Sequence, residues 1–138
     1  MPKYIVDTNK RSKKWKIACG TDIIEVKRIE DCIENLQEKF LDKIYTKNEI
    51  AYCEQKNQMK YQHYAARFAA KEAIYKAISE ILENKYEITW KDVEILPNEK
   101  GKPIVNFIKK YSKIKQIDIS LSHLKEYAVA ICVLQIEE

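Results

Sequence analysis

Apolar and polar positions alternate with period two in some stretches and period 3.6 in others, which predicts a chain of mixed strands and helices. Ile17 to Val26 is predicted as a strand, with Ile17, Cys19, Thr21 and Ile23 on one face and Ala18, Gly20, Asp22, Ile24 and Val26 on the other. Both faces are largely apolar, so the strand is expected to be covered on both sides. Arg28 to Phe40 carries a helical stripe of Ile29, Cys32, Ile33 and Leu36. Thr46, with Glu49 three residues on, forms a capping box that opens a second, short helix. Tyr61 to Asn84 contains no glycine or proline and predicts the longest helix, stopping at Asn84.

The second half reads differently. A short strand ends at Glu94–Leu96, and Pro97 to Pro103, around Gly101, is the clearest turn in the chain. Phe107 to Tyr111 is expected as a short helix. Ile117 to Ser122 alternates strictly, His123 to Glu126 is expected as a loop, and Tyr127 to Ile136 returns as the last strand of a hairpin. The class is therefore α+β, with a mostly antiparallel sheet.

Composition narrows the function classes. At 138 residues the chain suits one domain able to bury roughly two-thirds of its unfolded surface. Hydrophobic residues at 46% and a net charge of only +4 exclude a disordered chain. No 18-residue stretch lacks charge, so no membrane partner is expected, and residues 1–16 have no apolar segment of a secretory signal. That Lys-rich stretch is expected as a mobile basic arm ahead of a single domain over residues 17–138. It shows no aromatic interleaving, so nucleic acid is not expected as a partner. Gly20 and Gly101 stand too far apart to form a glycine-rich phosphate loop. Cys19, Cys32, Cys53 and Cys132 show no C-x-x-C spacing, and neither His63 nor His123 completes a zinc set. They are expected as reduced, mostly buried thiols of a cytoplasmic protein.

Three placements call for chemistry. Asp22 points with Ala18, Ile24 and Val26 into an apolar layer, so its carboxylate must be paired, protonated, metal-bound or bonded to a neighbouring backbone N–H. Glu72 shares its side of the long helix with Ala65, Phe68, Ala69, Tyr75 and Lys76. A solvated Glu–Lys pair, worth about 0.2–0.5 kcal/mol, is the plainest reading of it, although Phe68 and Tyr75 dry the middle turns. Ser120-Leu-Ser122-His123 sets two serines on one strand face and a histidine at its end. A Ser–His nucleophile is disfavoured, because adjacent strand residues face opposite ways and no orienting acid is evident. Two isolated carboxylates, a lysine one turn from one of them and a histidine together suggest a magnesium–phosphate site. Mg²⁺ takes one or two protein carboxylates plus water and phosphate oxygens, and lysine supplies a point charge.

The segments Gly20-Thr-Asp22-Ile-Ile-Glu-Val-Lys-Arg28, Arg67-Phe-Ala-Ala-Lys71-Glu72-Ala-Ile-Tyr-Lys76, Gly101-Lys102-Pro103 and Ser120-Leu-Ser122-His123 resemble the holo-acyl-carrier-protein synthases, the small 4′-phosphopantetheinyl transferases. The likeness runs from about Ile17 to Leu134, with the motifs in the family's order. It implies the transferase fold and transfer of phosphopantetheine from coenzyme A to a serine of apo acyl carrier protein, releasing adenosine 3′,5′-bisphosphate. Asp22 and Glu72 would then be magnesium ligands, and Lys76 would contact the phosphates. Arg67, Lys71, Gly101, Lys102, Pro103, Ser122 and His123 would hold the nucleotide, and Arg28 would meet the carrier. The serine proton would go to a magnesium-bound water or, second, to Glu72. The resemblance also implies a homotrimer with sites between subunits. The competing reading is a non-catalytic basic module that binds an acidic protein or nucleic acid.

Overall fold

The computed structural model describes residues 15–137. The arm expected over residues 1–16 lies, for residues 1–14, outside that range, and Trp15 and Lys16 already belong to the first strand. In chain order the elements are β1 (Trp15–Glu25), α1 (Val26–Leu36), α2 (Glu38–Ile44), α3 (Lys47–Glu54), α4 (Lys60–Ile78), β2 (Val93–Pro97), β3 (Pro103–Phe107), β4 (Ile114–His123) and β5 (Tyr127–Glu137). Strands β1, β5 and β4, in that spatial order, form one antiparallel sheet, and β2 and β3 form a separate antiparallel hairpin. The α+β expectation holds.

Helix α4 lies across one face of the three-stranded sheet. Its Ala69, Ala70, Ala73 and Ala77 are buried against Ala18, Ala130, Cys132 and Leu134. Small residues on both sides let the backbones come close, and at Gly20 they meet. A Cβ at that position would lie 2.1 Å from the Ala73 carbonyl oxygen and 3.0 Å from the Ala77 nitrogen. Only glycine lets β1 and α4 pack at this distance.

Four expected element boundaries or types are corrected. The single helix over Arg28–Phe40 is two helices, because Gln37 takes a positive φ of 52° while its N–H closes α1 on the Ile33 carbonyl. The break turns Phe40 onto Phe68, with ring centroids 6.4 Å apart. Helix α4 ends at Ile78 rather than Asn84. Ser79 Oγ donates to the Lys76 carbonyl, Ser79–Ile81 tighten into a 3₁₀ turn, and Ile81 and Leu82 fold back on the core. Phe107 to Tyr111 is not a helix, since β3 runs through Phe107 and Ile108 N–H donates to the Asp92 carbonyl. The apolar pair four apart is a packed ring pair, Phe107 on Tyr111, rather than a helical stripe. His123 closes β4 instead of opening the loop.

The capping box at Thr46 forms as read: Thr46 Oγ1 accepts from Glu49 N–H, and Glu49 Oε1 accepts from Thr46 N–H. The two-sided cover expected for β1 is found on one side only. On the side away from α4, Ile17 is 74% exposed and Ile23 65%, beside Val129, Ile131 and Val133 of β5. Cys19 lies exposed on this open face, whereas Cys53 and Cys132 are buried and Cys32 half-buried; all four are free thiols.

Replacing Gly20 by Ala forces β1 and α4 apart. The variant is expected to lose about 1–3 kcal/mol in urea unfolding, as overpacked cores do. Unchanged stability would mean that the helix shifts freely.

Candidate active site

The contact at Gly20 fixes what lies two residues further along β1. Asp22 projects toward α4 at the sheet edge, where Glu72 and Lys76 stand one helical turn apart. Lys76 Nζ donates to the Thr21 carbonyl at 2.9 Å and to Asp22 Oδ1 at 3.2 Å. The Asp22 side chain is 17% exposed and that of Lys76 52%. Burial raises the Glu72 carboxyl above the usual carboxylate range, the Asp22 charge adds to this, and Lys76 works against it. Lys76 thus pairs with Asp22 and reaches Glu72 only through its charge.

Glu72 stands between two cavities. Together with Asp22, Arg28, Cys32, Phe40 and Phe68 it lines one of about 210 Å³. On its other side a cavity of about 590 Å³ is bordered by Lys43, Tyr75, Tyr86, Ile88 and Trp90. Arg28, in the first turn of α1, is exposed at the smaller cavity, and the only α1 lysine, Lys27, is tied to Asp31 at 3.0 Å. The structure therefore brings Asp22, Glu72, Lys76 and Arg28 together.

It gives Lys71 and Arg67 a different task from the nucleotide contact expected of them. Lys71 Nζ donates to Glu49 Oε1 at 2.7 Å, to the Ile44 carbonyl at 2.8 Å and to the Trp90 carbonyl at 3.0 Å, which uses all three of its hydrogens. Glu49, itself fully buried, also accepts from Thr46 N–H and from Ile95 N–H. Burial pulls the Lys71 pKa down, and the Glu49 charge opposes that. Arg67 is buried too: Nε donates to the Ile95 carbonyl at 3.0 Å, and the guanidinium lies 4.2 Å over the Tyr52 ring. Both cations join α4 to its neighbours, and for Lys71 this uses every donor.

The remaining residues lie at the β4 edge of the sheet and in the separate β2–β3 hairpin. His123 ends β4, with Nδ1 2.8 Å from Gln62 Oε1 and its ring 5.0 Å from that of His63. Burial, followed by the charges of His123, Arg67 and Lys56, pushes the His63 imidazole down to about 4. Ser122 is exposed in β4 opposite Val129. Gly101 turns the β2–β3 hairpin at φ 82°, Pro103 pairs with Pro97, and Lys102 meets Asp118 at 3.2 Å. Because β5 separates β1 from β4, these edges stand roughly 10 Å apart, two strand spacings. One chain does not bring His123, Ser122 or the hairpin turn to the Asp22–Glu72 pair.

Sequence reasoning saw Glu49 only as a helix cap and did not single out Gln62 or His63. The signal for His63 was its place four residues before Arg67, on the same helical face. For a metal, the donors at hand are the Asp22 and Glu72 carboxylates. Among the described residues no group of three or more His, Cys, Asp and Glu could hold an ion. Two carboxylates with room for water and phosphate oxygens suit a hard cation such as Mg²⁺. No helix among the described residues is long and apolar enough to cross a membrane.

Comparison with known proteins gives the family and the fold. Residues 18–132 match the family model of the 4′-phosphopantetheinyl transferase superfamily. The chain is 45% identical over 123 residues to the holo-(acyl-carrier-protein) synthase of Ruminiclostridium cellulolyticum, covering 85% of this chain and 90% of that protein. Among solved structures, the Bacillus anthracis synthase in complex with CoA (3′,5′-ADP) superposes with a TM-score of 0.73 at 35% identity, covering 87% of this chain and 96% of that one. The Helicobacter pylori synthase in complex with coenzyme A gives a TM-score of 0.73 at 31% identity, covering 84% and 98%. The chain belongs to the 4′-phosphopantetheinyl transferase superfamily. Within it the chain belongs to the holo-(acyl-carrier-protein) synthases, a family of enzymes, and the non-catalytic binding module is set aside.

Two outcomes follow from this arrangement. Lys71→Met leaves the Glu49 carboxylate buried and unpaired, so urea unfolding is expected to show a loss of about 3–5 kcal/mol. His63 binds a proton less readily folded, at about 4, than unfolded, at 6.5. The unfolded chain then holds more protons between those values, so stability falls as pH drops from 6.5 toward 4. His63→Gln should flatten that slope in unfolding curves measured across the interval.

Proposed function

We propose that the chain transfers the 4′-phosphopantetheine group of coenzyme A to a serine of an apo acyl carrier protein, with magnesium, and releases adenosine 3′,5′-bisphosphate. The Asp22–Glu72 pair with Lys76 beside it carries the reading. Its setting in this family, with relatives solved in complex with coenzyme A, supports it. The serine oxygen attacks the phosphorus that bears the pantetheine, the bond to the bisphosphate breaks, and the serine gives up its proton. Such a transfer asks for positioning and charge neutralisation rather than a protein nucleophile.

Each residue has a role in that step. Asp22 and Glu72 hold the cation, which when bound neutralises charge on the pyrophosphate oxygens. Lys76 supplies a point charge to the same phosphates on a flexible stem. Of the chain's own groups, the Glu72 carboxylate is the candidate to accept the serine proton, second to a water. Arg28, exposed at the rim of the smaller cavity, meets an acidic carrier.

The assembly proposed is a homotrimer with sites between subunits. Two observations support it. The open sheet face exposes Ile17, Ile23, Val129, Ile131 and Val133 together, an apolar patch that a second copy would cover. The Asp22–Glu72 half lies at the β1 edge, whereas His123 and Ser122 lie at the β4 edge and Gly101–Pro103 in the separate hairpin, an arrangement that a neighbouring chain would complete. Free thiols suit a cytoplasmic setting.

The test is release of adenosine bisphosphate from coenzyme A with an apo carrier and magnesium. Asp22→Asn and Glu72→Gln are each expected to lower turnover by about 100-fold or more without unfolding the chain. Near wild-type turnover in either variant would remove that ligand. Mixing Glu72→Gln with His123→Ala chains, once subunit exchange is confirmed by mass, should restore part of the activity if the two residues serve one site from different chains. No recovery would place both in one chain.

A further inference from the structure

Lys76 has a task in the free enzyme that a phosphate contact does not explain. Its ammonium sits on Asp22 Oδ1 and on the Thr21 carbonyl. Asp22 has no other ion-pair partner among the described residues, and its side chain is mostly buried. Glu72, one turn earlier on the same helix, lies close enough for the charges of Asp22 and Lys76 both to act on it. The ammonium therefore covers the Asp22 carboxylate oxygen that a divalent cation bound there would need. Taking the carboxylate pair as the metal-holding group, as proposed above, we infer that Lys76 is a place-holder cation. It keeps Asp22 neutralised until metal arrives, then moves to the phosphates of coenzyme A.

Charge and reach support the exchange. A metal dication and an ammonium cannot share Asp22 without strong repulsion at this separation. The Lys76 side chain is half-exposed, so it can swing outward on its four-carbon stem without disturbing the core. A phosphate of the substrate gives the displaced ammonium a new anionic partner. Metal and substrate then bind cooperatively, since each removes an obstacle for the other, and the coupling is reciprocal. The other cations near Glu72 do not compete in this way: among the described residues no ion pair joins Arg28 or Lys43 to Asp22. Lys71 is locked in its buried pair with Glu49, and Lys85 lies over the Tyr86 ring without touching Asp22.

The experiment is titration of the full-length protein with Mn²⁺, followed by calorimetry, without and with saturating coenzyme A. Lys76→Met is expected to bind Mn²⁺ about 5-fold or more tightly than wild type when coenzyme A is absent. Coenzyme A should then improve Mn²⁺ affinity more in wild type than in the variant. Lys76→Gln should behave as Lys76→Met does, and melting temperatures confirm that both are folded. Lys85→Met is the control and should leave Mn²⁺ affinity unchanged. Equal or weaker Mn²⁺ binding by both Lys76 variants would overturn the place-holder. So would a Lys85→Met gain equal to theirs, because the effect would then be the general field of the surface lysines. If wild type and every variant fail to bind Mn²⁺ even with coenzyme A present, the carboxylate pair does not hold the metal, and the underlying reading falls with the inference.

Discussion

Strand β1 and helix α4 touch backbone to backbone at Gly20, and the candidate site is built on that contact. The Ala73 carbonyl leaves no space for a Cβ at this position. Asp22, two residues along, is therefore delivered to the helix flank at a height set by main chain rather than by deformable side chains. Glu72 and Lys76 bracket the contact, one turn apart on the same helix. The alanines of α4 serve the same end, because a larger side chain at Ala69, Ala73 or Ala77 would lift the helix and withdraw both residues from Asp22.

The open sheet face and the division of polar residues between two edges are linked. A three-stranded sheet with a helix on one side has only one face to offer, and here that face is aliphatic. The residues at its β4 edge, His123 and Ser122, lie across β5 from Asp22. A chain that buried this face would gain stability from the aliphatic area removed from water.

Period-two alternation located β1, β4 and β5 within two or three residues at each end, and the Thr46–Glu49 spacing announced the cap of α3. These signals are local, and local geometry obeyed them. Boundaries set by long-range packing were not legible. The break at Gln37 depends on Phe40 reaching Phe68, and the end of α4 depends on Ile81 and Leu82 folding back. Asp22 stood out because a carboxylate among Ala18, Ile24 and Val26 violates the strand's own pattern, and the structure pairs it with Lys76. Lys71 misled for the opposite reason. On a helix rich in charge a lysine beside Glu72 looks solvent-facing, and nothing within its own helix shows that Glu49, 22 residues away, will meet it.

The buried Glu49–Lys71 pair also bears on how the chain unfolds. The two charges are desolvated together only when the end of α2, the start of α3, the 3₁₀ turn at Trp90, strand β2 and α4 are all in place, for each supplies a hydrogen bond or a charge. A partly formed chain that buried one charge without the other would meet the desolvation cost with no compensation. Intermediates that keep α4 docked while α3 is loose are thereby penalised. The segment from Ile44 to Ile95 is coupled into one cooperative unit, although the sheet that carries Asp22 and His123 takes no part in the pair.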